Sequence, residues 1–186
     1  IALFLVFTSR YFKSYVINFS NRLANLGYSI PGAVIAIGIL LFTAQINAVT
    51  NFVLTGSLVL LVFAYIVRYL AVACQPINAG IETNCDSLNN ASKSLGSSTY
   101  TSLRLVNIPL IKNTLITAGL LVFIDIIKEL PLTLILRPFN FETLSTATFD
   151  LSSQAQIIEA SLPALCMIAV VLVPLVYLNY RLDNSR

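Results

Sequence analysis

The chain has 186 residues, of which 57% are hydrophobic and only 10% charged, with a net charge of +3 and a mean hydropathy of +0.85. Soluble domains carry about 25% charged residues, so this composition excludes an ordinary hydrated surface and points to lipid as the solvent. The dilute positive charge excludes a nucleic-acid-binding face, and the absence of histidine removes the commonest transition-metal ligand and general base.

Ile1–Thr8 is apolar up to Ser9-Arg10, with no charged segment before it. That is a poor signal peptide. It reads as a partial helix over 1–9, the tail end of a membrane span, and the chain reads as a fragment of a longer protein. Four further apolar runs predict helices over about 26–44, 52–74, 114–136 and 160–180. Each meets the roughly 20 residues needed to cross about 30 Å of hydrocarbon. The run at 52–74 is interrupted only by Arg68, and that at 114–136 holds Asp125, Lys128 and Glu129. Backbone groups in lipid must be satisfied within the segment, so the predicted fold class is all-α, a polytopic transmembrane helical bundle forming one domain over 1–186. Cys74, Cys85 and Cys166 are widely spaced and form no C-x-x-C pair; they read as small apolar residues, and no metal site is expected.

The basic residues give the orientation. Arg10, Lys13 and Arg22 fall in the first connection, Arg68, Lys93, Arg104 and Lys112 in or beside the third, and Arg181 and Arg186 in the tail. By the positive-inside rule, Tyr11–Asn25, Gln75–Asn113 and the C-terminus are cytoplasmic, while Gln45–Asn51 and Arg137–Glu159 face outward. Tyr11, Phe12, Tyr15, Tyr177 and Tyr180 sit where an interfacial aromatic belt belongs. Gly32 and Ala36 form a small-x-x-x-small face suited to close helix approach. Pro31, Pro131, Pro163 and Pro174 lie in or at the ends of spans, tolerable where neighbours re-satisfy the freed carbonyls.

The longest polar stretch is the cytoplasmic loop 75–113, rich in Asn, Ser and Thr. Leu88, Ala91 and Leu95 share one helical face, and Asp86 or Ser87 is placed to cap its start. Gly96 permits a sharp turn, and Pro109 marks a second break. Such a helix–turn–helix on a membrane surface is either a passive interfacial element or a lever pushed by a soluble partner. The sequence Asn90-Ala91-Ser92 is followed by Gly96 after three residues and by Val106-Asn107-Ile108-Pro109 after nine more. This resembles the EAA loop of ABC importer permeases, whose pattern is E-A-A, glycine, then I-x-L-P at the same spacings. Asn90 stands where the pattern has glutamate and Ser92 where it has its second alanine.

The resemblance extends to Leu26–Ala33, Lys128–Thr133 and Leu136–Leu144, which look like the ferric-iron uptake permeases of that superfamily, this chain matching the second of two permease halves. What it implies is a type I ABC importer permease core of the MetI-like kind in a bacterial inner membrane. Its partners would be a cytoplasmic ABC ATPase dimer gripping Asn90, Ala91, Ser92, Gly96, Val106, Ile108 and Pro109, an extracytoplasmic substrate-binding protein meeting the outward loop Arg137–Glu159, and the other permease half or a homologous permease chain. The chain itself would be no enzyme and hold no cofactor, ATP and Mg belonging to the ATPase; no glycine-rich phosphate loop and no nucleophile–base pair stands in the sequence.

Asp125, Lys128 and Glu129 are the other residues that carry chemistry. Asp125 lies about 16 Å into its predicted span at 1.5 Å per residue. On one continuous helix Asp125 and Glu129 face the same way, and Lys128 is placed to neutralise Asp125. Ionisable groups at such depth face a bundle interior or a water-filled cavity. Two readings stand: with Pro131 these residues line the path of a cationic substrate, or they form a structural ion-pair network. The expected substrate is ferric iron, with thiamine or another small solute, or an ion-coupled secondary carrier needing no ATPase, as alternatives.

Overall fold

The computed structural model describes residues 1–11, 15, 19, 26–50, 54–84, 92, 94, 96 and 98–183. Every regular element among them is helical, as the composition requires. The elements are α1 (Ala2–Tyr11), α2 (Gly32–Thr50), α3 (Leu58–Asn84), α4 (Thr99–Ser102), a π-helical turn Leu103–Asn107, α5 (Ile108–Leu110), α6 (Lys112–Ile127), α7 (Pro131–Leu136), α8 (Leu144–Ser153) and α9 (Ile157–Asp183). Gly32–Val49, Leu58–Glu82 and Ile157–Tyr180 are long and apolar enough to cross a membrane, and Tyr100–Leu110 with Lys112–Ile127 makes a fourth such segment bent by 71°.

The bounds differ from the expected ones for local reasons. The helix expected at 26–44 runs from Gly32 to Thr50. Pro31 precedes it, and its carbonyl accepts the first bonds, from Val34 and Ile35. The helix expected at 52–74 starts at Leu58, where Ser57 Oγ accepts from Leu60 N at 3.2 Å. It continues through Pro76 to Asn84, so the first ten residues of the expected loop 75–113 are helical. The span expected at 114–136 is two helices, with Lys128–Leu130 between them. Pro131 has no N–H to give the Ile127 carbonyl and its ring crowds that group, so α6 stops there. The segment 137–159, expected to be an outward connection, holds α8 and the start of α9. Thr143 caps α8 in a box with Thr146, each side chain accepting from the other's backbone N–H.

The chain divides into two compact units. The first comprises Ile1–Leu26 and Leu70–Val122. Its core is Val6, Cys74, Ile77, Ile81, Ile111 and Ala118, with Ala2, Leu3, Leu70 and Leu115 against it. Within it Ser92 is buried, and its hydroxyl donates to Ser102 Oγ at 2.8 Å. The second unit comprises Gly27–Tyr69 and Phe123–Arg186. Ala36, Leu60, Leu61, Ala64, Leu132 and Leu136 form its core. There α2 packs on α7 and α8 on α9.

The bend in the first unit falls at Ile111, two residues after a proline. Pro109 cannot donate to the Leu105 carbonyl, and its ring displaces that group. The turn before it widens, and Ile108 N bonds back five residues to the Leu103 carbonyl. Such π-turns mark strained, often functional, places in helices. Replacing Pro109 with Ala restores the donor and should straighten the segment. Spin labels at the exposed positions Tyr100 and Leu121 should then move apart toward the ~32 Å of a continuous helix of that length, read by pulsed electron resonance. An unchanged distance would assign the bend to packing instead.

Candidate functional site

The polar centre of the second unit is built around Glu129, which follows the end of α6 and is 6% exposed. Charges in an apolar interior are tolerated only when paired and hydrogen-bonded, and every atom of this residue's polar groups is engaged. Its Oε2 accepts from Tyr69 Oη at 2.5 Å and lies 3.1 Å from Arg68 Nε. The Arg68 N–H does not point at that oxygen, so the contact is an ion pair by distance and not an aligned hydrogen bond. Its Oε1 accepts from Leu132 N at 3.1 Å, satisfying a free donor at the start of α7. The Glu129 carbonyl accepts from Thr133 Oγ1 at 2.9 Å and from Ser145 Oγ at 2.8 Å. Tyr65 Oη shares a 2.6 Å bond with Thr133 Oγ1, adding a second hydroxyl layer.

Arg68 is fixed on its other side by the Ile30 carbonyl, to which Nη1 donates at 3.0 Å. Gly32 makes this possible. A Cβ there would stand 2.6 Å from Glu129 Oε1 and 2.9 Å from Arg68 Nη1. The small-residue face Gly32–Ala36 therefore serves two ends: Gly32 admits the ion pair, and Ala36, fully buried, lies in the apolar core.

Lys128 and Asp125 form a second pair, Nζ to Oδ1 at 2.8 Å, with side-chain exposures of 59% and 14%. Tyr69 Oη also approaches the Asp125 carbonyl at 3.2 Å. An open cleft of about 420 Å³ is lined by Tyr28, Arg68, Tyr69, Asp125, Lys128 and Glu129. Two cations and two anions thus face one space. Farther along, Arg137 Nη2 donates to Asp150 Oδ2 at 2.7 Å, tying the segment after α7 to α8.

Of the residues singled out in the sequence, Asp125, Lys128, Glu129 and Pro131 come together, with one correction. Asp125 and Glu129 are not one helical face, because α6 ends at Ile127. Glu129 turns to Arg68 and Tyr69 instead. Sequence reasoning missed those two partners and Tyr65. The available signal was Arg68 itself, the lone charge in a 23-residue apolar run; such a charge implies an acidic partner on a neighbouring helix. Asn90 and Ala91 lie outside the described residues. Gly96 is an exposed turn residue at φ +80° with open space around it. Val106 belongs to the π-turn, with Ile108 and Pro109 in α5.

Removing one member of a buried pair leaves the other uncompensated and costs about 3–5 kcal/mol. Arg68→Met and Glu129→Gln should each lower the melting temperature of the purified protein sharply, and the double variant should recover most of the loss. Additive losses in the double variant would show that the two residues act independently.

Comparison with known proteins agrees with the architecture. The family described as the binding-protein-dependent transport system inner membrane component matches residues 1–185. The Fe(3+)-transport system permease protein FbpB 2 of Haemophilus influenzae is 30% identical over 167 residues, 90% of this chain and 32% of that protein. The 2-aminoethylphosphonate transport system permease proteins PhnV of Salmonella paratyphi A and Salmonella typhimurium are 26% identical over 144 residues, 77% of this chain and 53% of theirs. The chain thus spans about a third to a half of the length of these relatives. Its apolar helices, its bent segment and the match along nearly its whole length give one conclusion: this chain is a multi-pass membrane protein belonging to the binding-protein-dependent transport system inner membrane component family.

Proposed function

We propose that this chain forms the pore-forming permease part of an ATP-driven importer in a bacterial inner membrane, moving ferric iron from an extracytoplasmic binding protein to the cytoplasm. The family match over residues 1–185 carries the reading, and the similarity to the iron permease FbpB 2 supports the substrate. A cytoplasmic ABC ATPase dimer engages the segment from Asn90, Ala91 and Ser92 through Gly96 to Val106, Ile108 and Pro109. The bend after Leu110 gives that segment a mechanical meaning. A push on the arm Tyr100–Leu110 turns through 71° into the apolar helix Lys112–Ile127. Another permease half, or a second permease chain, completes the pore. ATP and Mg reside on the ATPase, and this chain contributes no catalytic residue. Gln75–Asn113 and the C-terminus are cytoplasmic, from the distribution of lysine and arginine.

Asp125, Lys128, Glu129 and Pro131 line the translocation path on this reading. Alternating access supplies transport as an exchange between two packings of the helices. A second substrate class, a small phosphonate, is favoured by the 26% identity to the aminoethylphosphonate permeases over 77% of the chain.

The test is purification of the full-length protein from its own membranes, with uptake measured in reconstituted vesicles. An ABC ATPase should co-purify, and iron uptake should require ATP. Gly96→Trp should lose the ATPase because the added bulk projects into open surface. Gly96→Asn should retain it, since asparagine tolerates the left-handed backbone at a cost of about 1–2 kcal/mol or less. Uptake that collapses with the proton or sodium gradient, in a protein with no associated ATPase, would replace the importer with an ion-coupled carrier.

A further inference from the structure

The cleft beside Glu129 has more free donors than acceptors. Glu129 is saturated by Tyr69, Arg68 and Leu132 N. Asp125 uses one oxygen on Lys128, and its other oxygen has no partner among the described residues. On the donor side, the Lys128 ammonium makes one contact and is 59% exposed. Arg68 donates through Nη1 to the Ile30 carbonyl, and its guanidinium lines the same space. Tyr28, half exposed, adds a hydroxyl to the same space. A bare metal cation would meet one carboxylate oxygen and two positive charges. Among the described residues no three of His, Cys, Asp and Glu stand close enough to hold a metal ion.

Formal charge in the cleft sums to zero: Arg68 and Lys128 against Asp125 and Glu129. A free anion or a free cation would therefore leave a net charge beside the buried Arg68–Glu129 pair, where unpaired charge is expensive. A ligand carrying both signs would not. We propose that this cleft is a binding site for a small solute bearing an oxyanion next to a positive centre. The oxyanion meets Lys128, Tyr28 and the Arg68 guanidinium, and the positive centre meets the second carboxylate oxygen of Asp125. A volume of about 420 Å³ falls in the range of small-molecule pockets. The positive centre is either an ammonium group or a ferric ion already coordinated by oxyanion ligands. This inference rests on the import reading for its biological setting but not for its chemistry.

Binding is measured on the resting full-length transporter in detergent, without ATP, by calorimetry against 3-aminopropylphosphonate, propylphosphonate, propylammonium and ferric citrate. The zwitterion or ferric citrate should bind at least about tenfold tighter than either singly charged probe. Preference for the zwitterion assigns the positive centre to an ammonium, and preference for ferric citrate assigns it to the metal. Lys128→Gln should lose about tenfold or more of that affinity, and Tyr28→Phe should lose less; both side chains are half exposed or more, and unchanged melting temperatures exclude misfolding. Asp125→Asn should abolish the preference over propylphosphonate. Equal binding of all four probes, no binding of any, or an unaffected Lys128→Gln variant would overturn the proposal. ATP-driven uptake, measured separately, would still decide the import reading.

Discussion

A carboxylate in an apolar interior dictates the organisation of the second unit. Glu129 is a buried charge in a largely apolar segment, and leaving it unpaired there would be prohibitive. Its needs are met from several elements at once. Helix α3 supplies Arg68 and Tyr69, α7 supplies a backbone N–H and Thr133, and α8 supplies Ser145. The backbone entering α2 holds the arginine in place. An apolar cluster of the same volume would often be as stable or more so. What the charged group adds is direction. Leucines pack in many registers, whereas this carboxylate accepts from one tyrosine and one helix start and pairs with one arginine.

Two prolines set the irregular backbone on which the rest depends. Pro131 ends α6 and frees Glu129 from the helical face that its spacing from Asp125 suggests. Pro109 widens the preceding turn and is followed by the 71° bend. Non-helical backbone is tolerated at membrane depth only where protein or a cavity covers it. The Lys128–Leu130 break meets that condition, since Glu129 is buried and its carbonyl doubly bonded. Here the break does chemical service: it turns a stretch of helix into a junction between a saturated ion pair and an open cleft.

Much of this was legible in the residues, and what was not has physical reasons. Apolar runs revealed membrane helices because composition alone decides the solvent. Their ends were misplaced because caps and prolines act within one turn, below the resolution of hydropathy. Helix α8 was missed because Leu144–Ser153 is rich in hydroxyls, which favour caps and turns in isolation. Its start is a Thr143–Thr146 box where the usual signature ends in glutamate or glutamine. Asp125–Lys128 pairing was readable from spacing, since three residues on a helix is one turn. Tyr69 bonding to Glu129 was not, because 60 residues separate them and only the tertiary packing brings them together.

The two carboxylates, alike in sequence, thereby acquire different roles. Glu129 has both oxygens and its carbonyl occupied by its own unit, so it can meet a ligand only by breaking contacts that hold several elements together. Asp125 is anchored through one oxygen to a lysine that is itself largely exposed. A ligand can replace or share that pairing at little expense to the fold. The structural charge and the one proposed to meet a ligand are thus separated by the end of α6, with Tyr69 Oη bridging them through the Asp125 carbonyl and the Glu129 carboxylate. Any movement at Asp125 that shifts the end of α6 must be felt by Tyr69, and through it by the pair that fixes α3 against α7. On the proposed reading, such an arrangement would link occupancy of the cleft to the packing of helices, the coupling that alternating access requires.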